Sequence, residues 1–418
     1  MAPSPFWAGL ILLCSLAARG QEPANASKSD PSFAAILTDQ SQLEGKVESF
    51  QFDASGAGKL TIVGRESRVV PLAELVKLSR LDQVAPSVPT GAATLILPGR
   101  DQLQMQMGVS DATSLGVTPS WSPGTSVRVP LDCPLGVLFT PPVDRKALND
   151  LVQAMRDPER AGEVLWLGNG DRKDGSFLGI DAERIQFDSG AGLAAIDRTA
   201  VNALGFDPAL AHYPEPVGPY LELLLLDGSR LGALSCQLNG TQLSFKSRFG
   251  ADLVVPFSNL VSATVLNGSV SYLAERDPAA AQFVPYLDSH PMTYGRNLTW
   301  DGYPLRLSDT SYERGLGTLP RTLLAYRLGP GDRRFQATIG QDVRAGDLGS
   351  LTFRILVDRK EVYVSPPVTK RDRPIPVDID IQGGGLLILI TEFGERGDVQ
   401  DSGVWADARI IAGKGNQP

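Results

Sequence analysis

A stretch of about forty residues recurs, degenerately, four times in the first two thirds of this chain, and that recurrence limits the fold more than any other feature. The clearest copy, residues 223–268, reads as strand, turn, strand, turn, strand. It continues with Val255-Pro256-Phe257 and a short apolar close at Leu260 and Val261. The first copy keeps the order: Gly45 answers Gly232, Val70-Pro71-Leu72 answers Val255-Pro256-Phe257, and Leu75-Val76 answers Leu260-Val261. The third keeps Gly175, Ile185, Phe187, Ile196 and Val201 but has Asp197 where the proline stood. The second keeps Val129-Pro130-Leu131, while Pro134 breaks the closing helical turn. Apolar and polar residues alternate within the copies, as in Gln242-Leu243-Ser244-Phe245 and Lys59-Leu60-Thr61-Ile62, so each strand turns one face to a core. A unit of three to five short strands buries little alone. Small curled sheets or barrels packed side by side are therefore expected, with hairpin turns at Asp227-Gly228, Asn239-Gly240 and Ser189-Gly190.

The rest of the chain fits around this pattern. At 418 residues it is too long for one core, and 42% hydrophobic with 21% charged residues is ordinary globular composition. The 43 glycines and 31 prolines are dispersed, which suits many short strands joined by tight turns. The segment from Asp144 places Leu148, Leu151, Val152 and Met155 at helical spacing. Beyond residue 268 the strands lengthen, as at 350–357 and 386–391, and a separate sandwich is expected. The expected order is a signal peptide at 1–20, a linker at 21–32, and β repeats at 33–90 and 91–143. A helix and linker at 144–162, β repeats at 163–218 and 219–268, and a sandwich at 269–414 follow. The fold class is thus all-β: degenerate small β-sheet or barrel repeats followed by a C-terminal jelly-roll-like β-sandwich.

Several classes of function are disfavoured. A net charge of -8 without a Lys/Arg stripe argues against a nucleic-acid partner. The two histidines, His212 and His290, lie in proline-flanked stretches and offer little for a triad or a histidine metal site. Gly383-Gly384-Gly385 lacks the lysine and the strand-to-helix setting of a phosphate loop and reads as a turn. The apolar run from Phe6 to Leu16, followed by small residues, reads as a secretory signal, and no later segment is apolar enough to span a membrane as a helix. A secreted, periplasmic or cell-surface protein, of bacterial origin, is expected. Cys133 and Cys236 could then form a disulfide or remain two buried thiols.

In the last segment a resemblance enters. It is carried by Ser271-Tyr272-Leu273, by residues 300–307 (Trp-Asp-Gly-Tyr-Pro-Leu-Arg-Leu) and by Tyr312-Glu313-Arg314-Gly315-Leu316-Gly317. It continues through Leu324 to Leu328, Arg334 to Gly340, Ser350 to Ile355 and Val404 to Ile410. This order resembles the carbohydrate-binding module named for its association with glycosyl hydrolase family 98, a galactose-binding-like β-sandwich. The resemblance implies a sandwich that binds sugar. It departs from the family where a histidine usually follows Gly-Leu-Gly; here the chain reads Thr318-Leu319-Pro320-Arg321.

A sugar site needs an aromatic plate and planar polar groups for hydroxyls. Trp300, Asp301, Tyr303, Arg321, Trp405 and Asp407 supply those types, although Trp405 in its Ala/Val-rich strand also reads as core. The loop holding Asp398 and Asp401 could take Ca²⁺ through hard oxygen ligands; no other cofactor is expected. The reading is an exported, non-catalytic protein that engages a carbohydrate or glycan-bearing surface. The alternative is a structural or protein-interaction envelope protein whose sandwich has lost sugar binding, with other envelope proteins as partners. A hydrolase hidden in the repeats is the third.

Overall fold

The computed structural model describes residues 31–413 except 54, 83, 112, 182, 191 and 287–293. The expected signal peptide, most of the linker, and His290 lie outside the described residues.

From Phe33 to Leu266 the chain forms twenty strands in four successive sets of five. In the last set these are Tyr220–Leu225, Arg230–Asn239, Gln242–Ser247, Asp252–Pro256 and Leu260–Leu266. The first strand pairs with the second and the fifth, the second with the third, and the third with the fourth. The other three sets pair in the same way. The second strand of every set carries a register shift, at Val47/Ser49, Met107/Ser110, Phe177/Gly179 and Ala233/Ser235. A bulge at this point bends the strand, so that one half pairs backward and the other forward, which curls each set toward a small barrel. Gly45 and Gly175 sit where neighbouring backbone comes closest. A Cβ there would lie 2.2 Å from Val63 O and 2.1 Å from Asp188 O.

A single 3₁₀ turn precedes the fifth strand in three sets, at Leu72–Glu74, Arg198–Ala200 and Phe257–Asn259. The second set has none among the described residues, and Pro134, which lacks the N–H, stands in that connection. Fifth strands join the sets in pairs: Leu260–Leu266 lies against Leu75–Arg80, and Gly136–Leu138 against Val201–Gly205. One apolar cluster runs through all four sets. The helix Arg145–Arg156 is capped by Asp144, which accepts from Ala147 N at 2.8 Å, and packs Leu148, Leu151, Val152 and Met155 over the join of the second and third sets. Cys133 and Cys236 are separate buried thiols; burial first, and for Cys133 also Asp132, pushes them up to about 11 and about 12.

Residues 270–412 form the sandwich. One sheet holds Gly295–Arg296, Gly315–Thr318, Gly403–Ala412, Asp332–Gln341 and Ile375–Asp380 in that order, with Val270–Tyr272 also on Gly403–Ala412. The other runs Ala280–Phe283, Thr322–Arg327, Leu386–Phe393, Leu351–Val357, Lys360–Val364. Between them lies a second core containing Trp405, Phe335, Phe353 and Tyr326.

The two regions meet across an ionic seam. Glu222, buried in the strand Tyr220–Leu225, binds Arg230 and stands 2.8 Å from Arg314 of the sandwich. Arg230 reaches Glu313 at 2.7 Å, Lys77 approaches the same carboxylate at 3.7 Å, and Arg314 reaches Glu275 at 3.2 Å. Burial opposes ionisation of Glu222, but the surrounding guanidiniums outweigh it and hold the carboxyl far below its ordinary range. Val76, Leu266, Val270, Tyr272 and Ile411 form a small apolar cluster across the seam.

Candidate sugar-binding face

The loop after Gly295–Arg296 is folded around Thr299. Its N–H donates to Tyr303 O at 2.7 Å, its hydroxyl accepts from Tyr303 N at 2.9 Å and donates to Asp301, and its carbonyl accepts from Gly302 N at 3.0 Å. Gly302 has φ +85°, a left-handed conformation that glycine adopts without strain. This tight turn holds Trp300, Asp301 and Tyr303 together at the surface, all three half-buried.

A fourth residue completes the patch. Arg344, from the loop after Asp332–Gln341, stands 3.1 Å from Asp301 Oδ2, and its guanidinium carbon lies 3.3 Å from the centre of the Tyr303 ring. One face of Tyr303 is therefore occupied, and Trp300 is the remaining aromatic ring of the group. Arg344 was not singled out from the sequence; it is remote in the chain, and no local pattern marks it. The patch is tied to the first region, because Asn149 of the helix donates to Gly302 O.

The other three expected sugar ligands lie elsewhere. Arg321 borders the five-stranded sheet, 3.3 Å from Glu392, whose carboxylate Arg354 also approaches at 3.6 Å. Trp405 is 1% exposed, packed edge-to-face on Phe353 with ring centres 4.9 Å apart, and its Nε1 donates to Thr391 Oγ1 at 3.0 Å. Its expected role as a sugar plate is corrected: the ring is enclosed by the core and cannot stack on a ligand. Asp407, at φ 49°, sits where Gly403–Ala412 shifts register against Asp332–Gln341, a bulge that takes it out of the ladder. Its N–H donates to Arg314 O at 3.0 Å.

Of the two acids expected to take Ca²⁺, Asp398 is exposed and Asp401 buried. Asp401 accepts from Ser350 N at 2.7 Å through Oδ1, while its Oδ2, like Gln341 Oε1, is buried with no hydrogen-bond partner among the described residues. Burial, opposed by the Ser350 bond and aided by Asp398, pushes the Asp401 carboxyl up to about 7. Among the described residues no cluster of three or more His, Cys, Asp or Glu is placed to hold a metal. His212 is exposed. No described helix is long and apolar enough to cross a membrane.

Residues 282–411 match the family described as the NPCBM/NEW2 domain. No curated protein matches the chain. Among solved structures, the CBM51 of Clostridium perfringens GH95 in complex with methyl-galactose is similar at 23% identity and a TM-score of 0.31, over 34% of this chain and 99% of that one. The tandem CBM51 modules of Sp3GH98 from Streptococcus pneumoniae SP3-BS71 are similar at 13% identity and a TM-score of 0.31, over 62% and 90%. The CBM51-2 and INT domains of C. perfringens ZmpB, with GlcNAc, give 15% and 0.32 over 54% of this chain, which spans 44% of theirs. The C-terminal region of this chain, then, is a β-sandwich that resembles a carbohydrate-binding module.

Proposed function

We propose that the chain is an exported, non-catalytic protein that binds a carbohydrate or glycan-bearing surface through its C-terminal sandwich. The observation that carries this reading is the match of residues 282–411 to the NPCBM/NEW2 domain, a stretch that holds nearly the whole sandwich. The Trp300 patch is the site it favours, because a half-buried indole beside an Arg–carboxylate pair offers an apolar plate and planar hydrogen-bonding groups together. The apolar run at Phe6–Leu16 supports export. The twenty N-terminal strands serve here as a support built from four copies of one unit.

One observation favours a second reading, a protein-interaction envelope protein. Arg344 already covers a face of Tyr303, and the six expected ligands do not converge. A glycan array followed by calorimetry on the full chain, with Trp300→Ala beside it, separates the two. Saturable sugar binding lost in the variant is the expected result; a folded chain that binds no sugar leaves protein interaction in front.

Ca²⁺ is proposed at the Asp401 loop, where Asp401 Oδ2 and Gln341 Oε1 are the oxygen type that this ion takes. It would hold the loop rather than touch sugar. Added Ca²⁺ is expected to raise the melting temperature of the native chain, and Asp401→Asn to remove that rise. An unchanged melting temperature in Ca²⁺ and in chelator rules the site out.

A further inference from the structure

Beside the Trp300 patch, between the second strand set, the helix Arg145–Arg156 and the sandwich, lies a cavity of about 570 Å³. Three arginines, Arg100, Arg156 and Arg296, and one carboxylate, Glu275, line it. Two of the arginines are answered by the protein. Arg296 pairs with Asp277 at 2.7 Å, and Arg100 stands 3.8 Å from Glu275 and donates to Glu313 O at 2.9 Å. Arg156 is different. It makes no salt bridge or hydrogen bond with any described residue, although its Nε is buried. The carboxylate that attracts it, Asp101, is already engaged by the Tyr213 hydroxyl and Gly232 N. The side chain is half-buried: its Nε is cut off from water, while the outer nitrogens are not, and a cation that no described residue pairs with can take an anion.

Four of the five side-chain amides that line the cavity are each half used. Gln102 donates to Gly228 O at 2.9 Å and keeps its carbonyl oxygen; Asn149 donates to Gly302 O and keeps its own. Gln104 accepts from Thr94 at 2.8 Å and keeps its NH₂; Asn297 accepts from Gly315 N at 3.2 Å and keeps its own. Free donors and free acceptors are thus both present, as a ring of hydroxyls requires, since each hydroxyl gives one hydrogen and takes others. Ile96, Leu148 and Val152 supply apolar wall, and the volume is that of a small-ligand site.

We propose that this cavity binds an acidic mono- or disaccharide, with Arg156 taking its carboxylate and the four amides its hydroxyls. The site is separate from the Trp300 patch and stands whether or not that patch binds. It exists only where helix, second set and sandwich meet, so it is a property of the whole chain.

The test is calorimetric titration of the full chain with galacturonate, glucuronate and N-acetylneuraminate, against galactose and inorganic phosphate. At least one acidic sugar is expected to bind saturably, about tenfold or more tighter than galactose, the scale of one charge-assisted contact. Arg156→Gln is expected to abolish that preference while melting no lower than the parent, because no described residue pairs with the charge it removes. Arg156→Lys, which keeps the charge, is expected to retain part of it. Loss of galactose binding in Trp300→Ala reads the patch, and loss of the preference for acids in Arg156→Gln reads this cavity, so failure of the one is distinguished from failure of the other. The proposal is overturned if none of the three acids binds, if phosphate binds as tightly as they do, or if Arg156→Gln binds like the parent.

Discussion

Each of the four N-terminal strand sets bends its second strand at a bulge and curls back on itself, whereas the sandwich keeps its strands in two facing sheets. The difference shows in the cores. The buried apolar residues of the four sets form one cluster, as when Phe33 of the first set meets Phe257 of the fourth at 5.1 Å between ring centres. The sandwich has its own cluster, closed around Trp405. A small curled set encloses too little apolar surface and shares its core with neighbours, while two broad sheets enclose enough to stand as a module. The surface follows the same division: the sandwich places Trp300 and Tyr303 on a loop, and the array keeps Phe177 and Phe206 in contact at 5.4 Å inside.

What couples a collective array to a self-contained module is the seam around Glu222, and removing it is the strongest way to break the comparison. Glu222→Ala leaves Arg230 and Arg314 buried with less than their counter-charge, a loss on the order of 3–5 kcal/mol. Calorimetry of the parent is expected to show one transition, and of the variant two, array and sandwich melting apart. Adding Trp405→Ala should then lower one of the two alone, because that ring packs only within the sandwich core. A single transition in both variants would mean that the apolar contacts at Val76 and Tyr272 suffice to couple the regions.

The array was legible in the sequence because its signals are local. Alternation gave the strands, Asp-Gly and Asn-Gly the turns, and Val-Pro-Leu or Val-Pro-Phe the close of three of the four sets; the helix at Asp144 showed in its spacing. The bulges were not legible, since a single extra residue leaves no mark in a degenerate copy. In the sandwich, residues 300–303 came together because they are neighbours in sequence, and the core reading of Trp405 showed in its Ala/Val-rich strand, but Arg344, forty positions on, depends on tertiary packing. Glu222 did carry a sign: it stands on the face opposite the core-facing Leu221, Leu223 and Leu225, and an acid there has to meet a cation once that face is covered. Arg156 sits on the last turn of an amphipathic helix, and no local pattern marks it as facing a cavity that the second set and the sandwich also line.

Acidity sharpens the comparison more gently. Glu313 at the seam is half-buried, yet Lys77 and Arg230 overcome the cost of that burial and hold it down at about 2. Asp101, inside the array, is fully buried, and burial prevails over the Tyr213 bond and over Arg248 at 4.0 Å, so its carboxyl rises to about 6. The two signs are opposite. A carboxyl raised on folding favours the native state while protonated, so its contribution is complete below the unfolded value near 4 and is lost as pH rises to about 6. The seam carboxylates do the reverse, and their contribution is lost as pH falls below about 4. Urea midpoints measured from pH 3 to 8 are therefore expected to peak near pH 4 to 5, with Asp101→Asn reducing the decline between pH 4 and 6, leaving the acid side unchanged and leaving the part that Asp401 contributes up to about pH 7. An undiminished decline between pH 4 and 6 in Asp101→Asn would place its origin outside the array, and the contrast between a paired seam and an underpaired interior acid would fall.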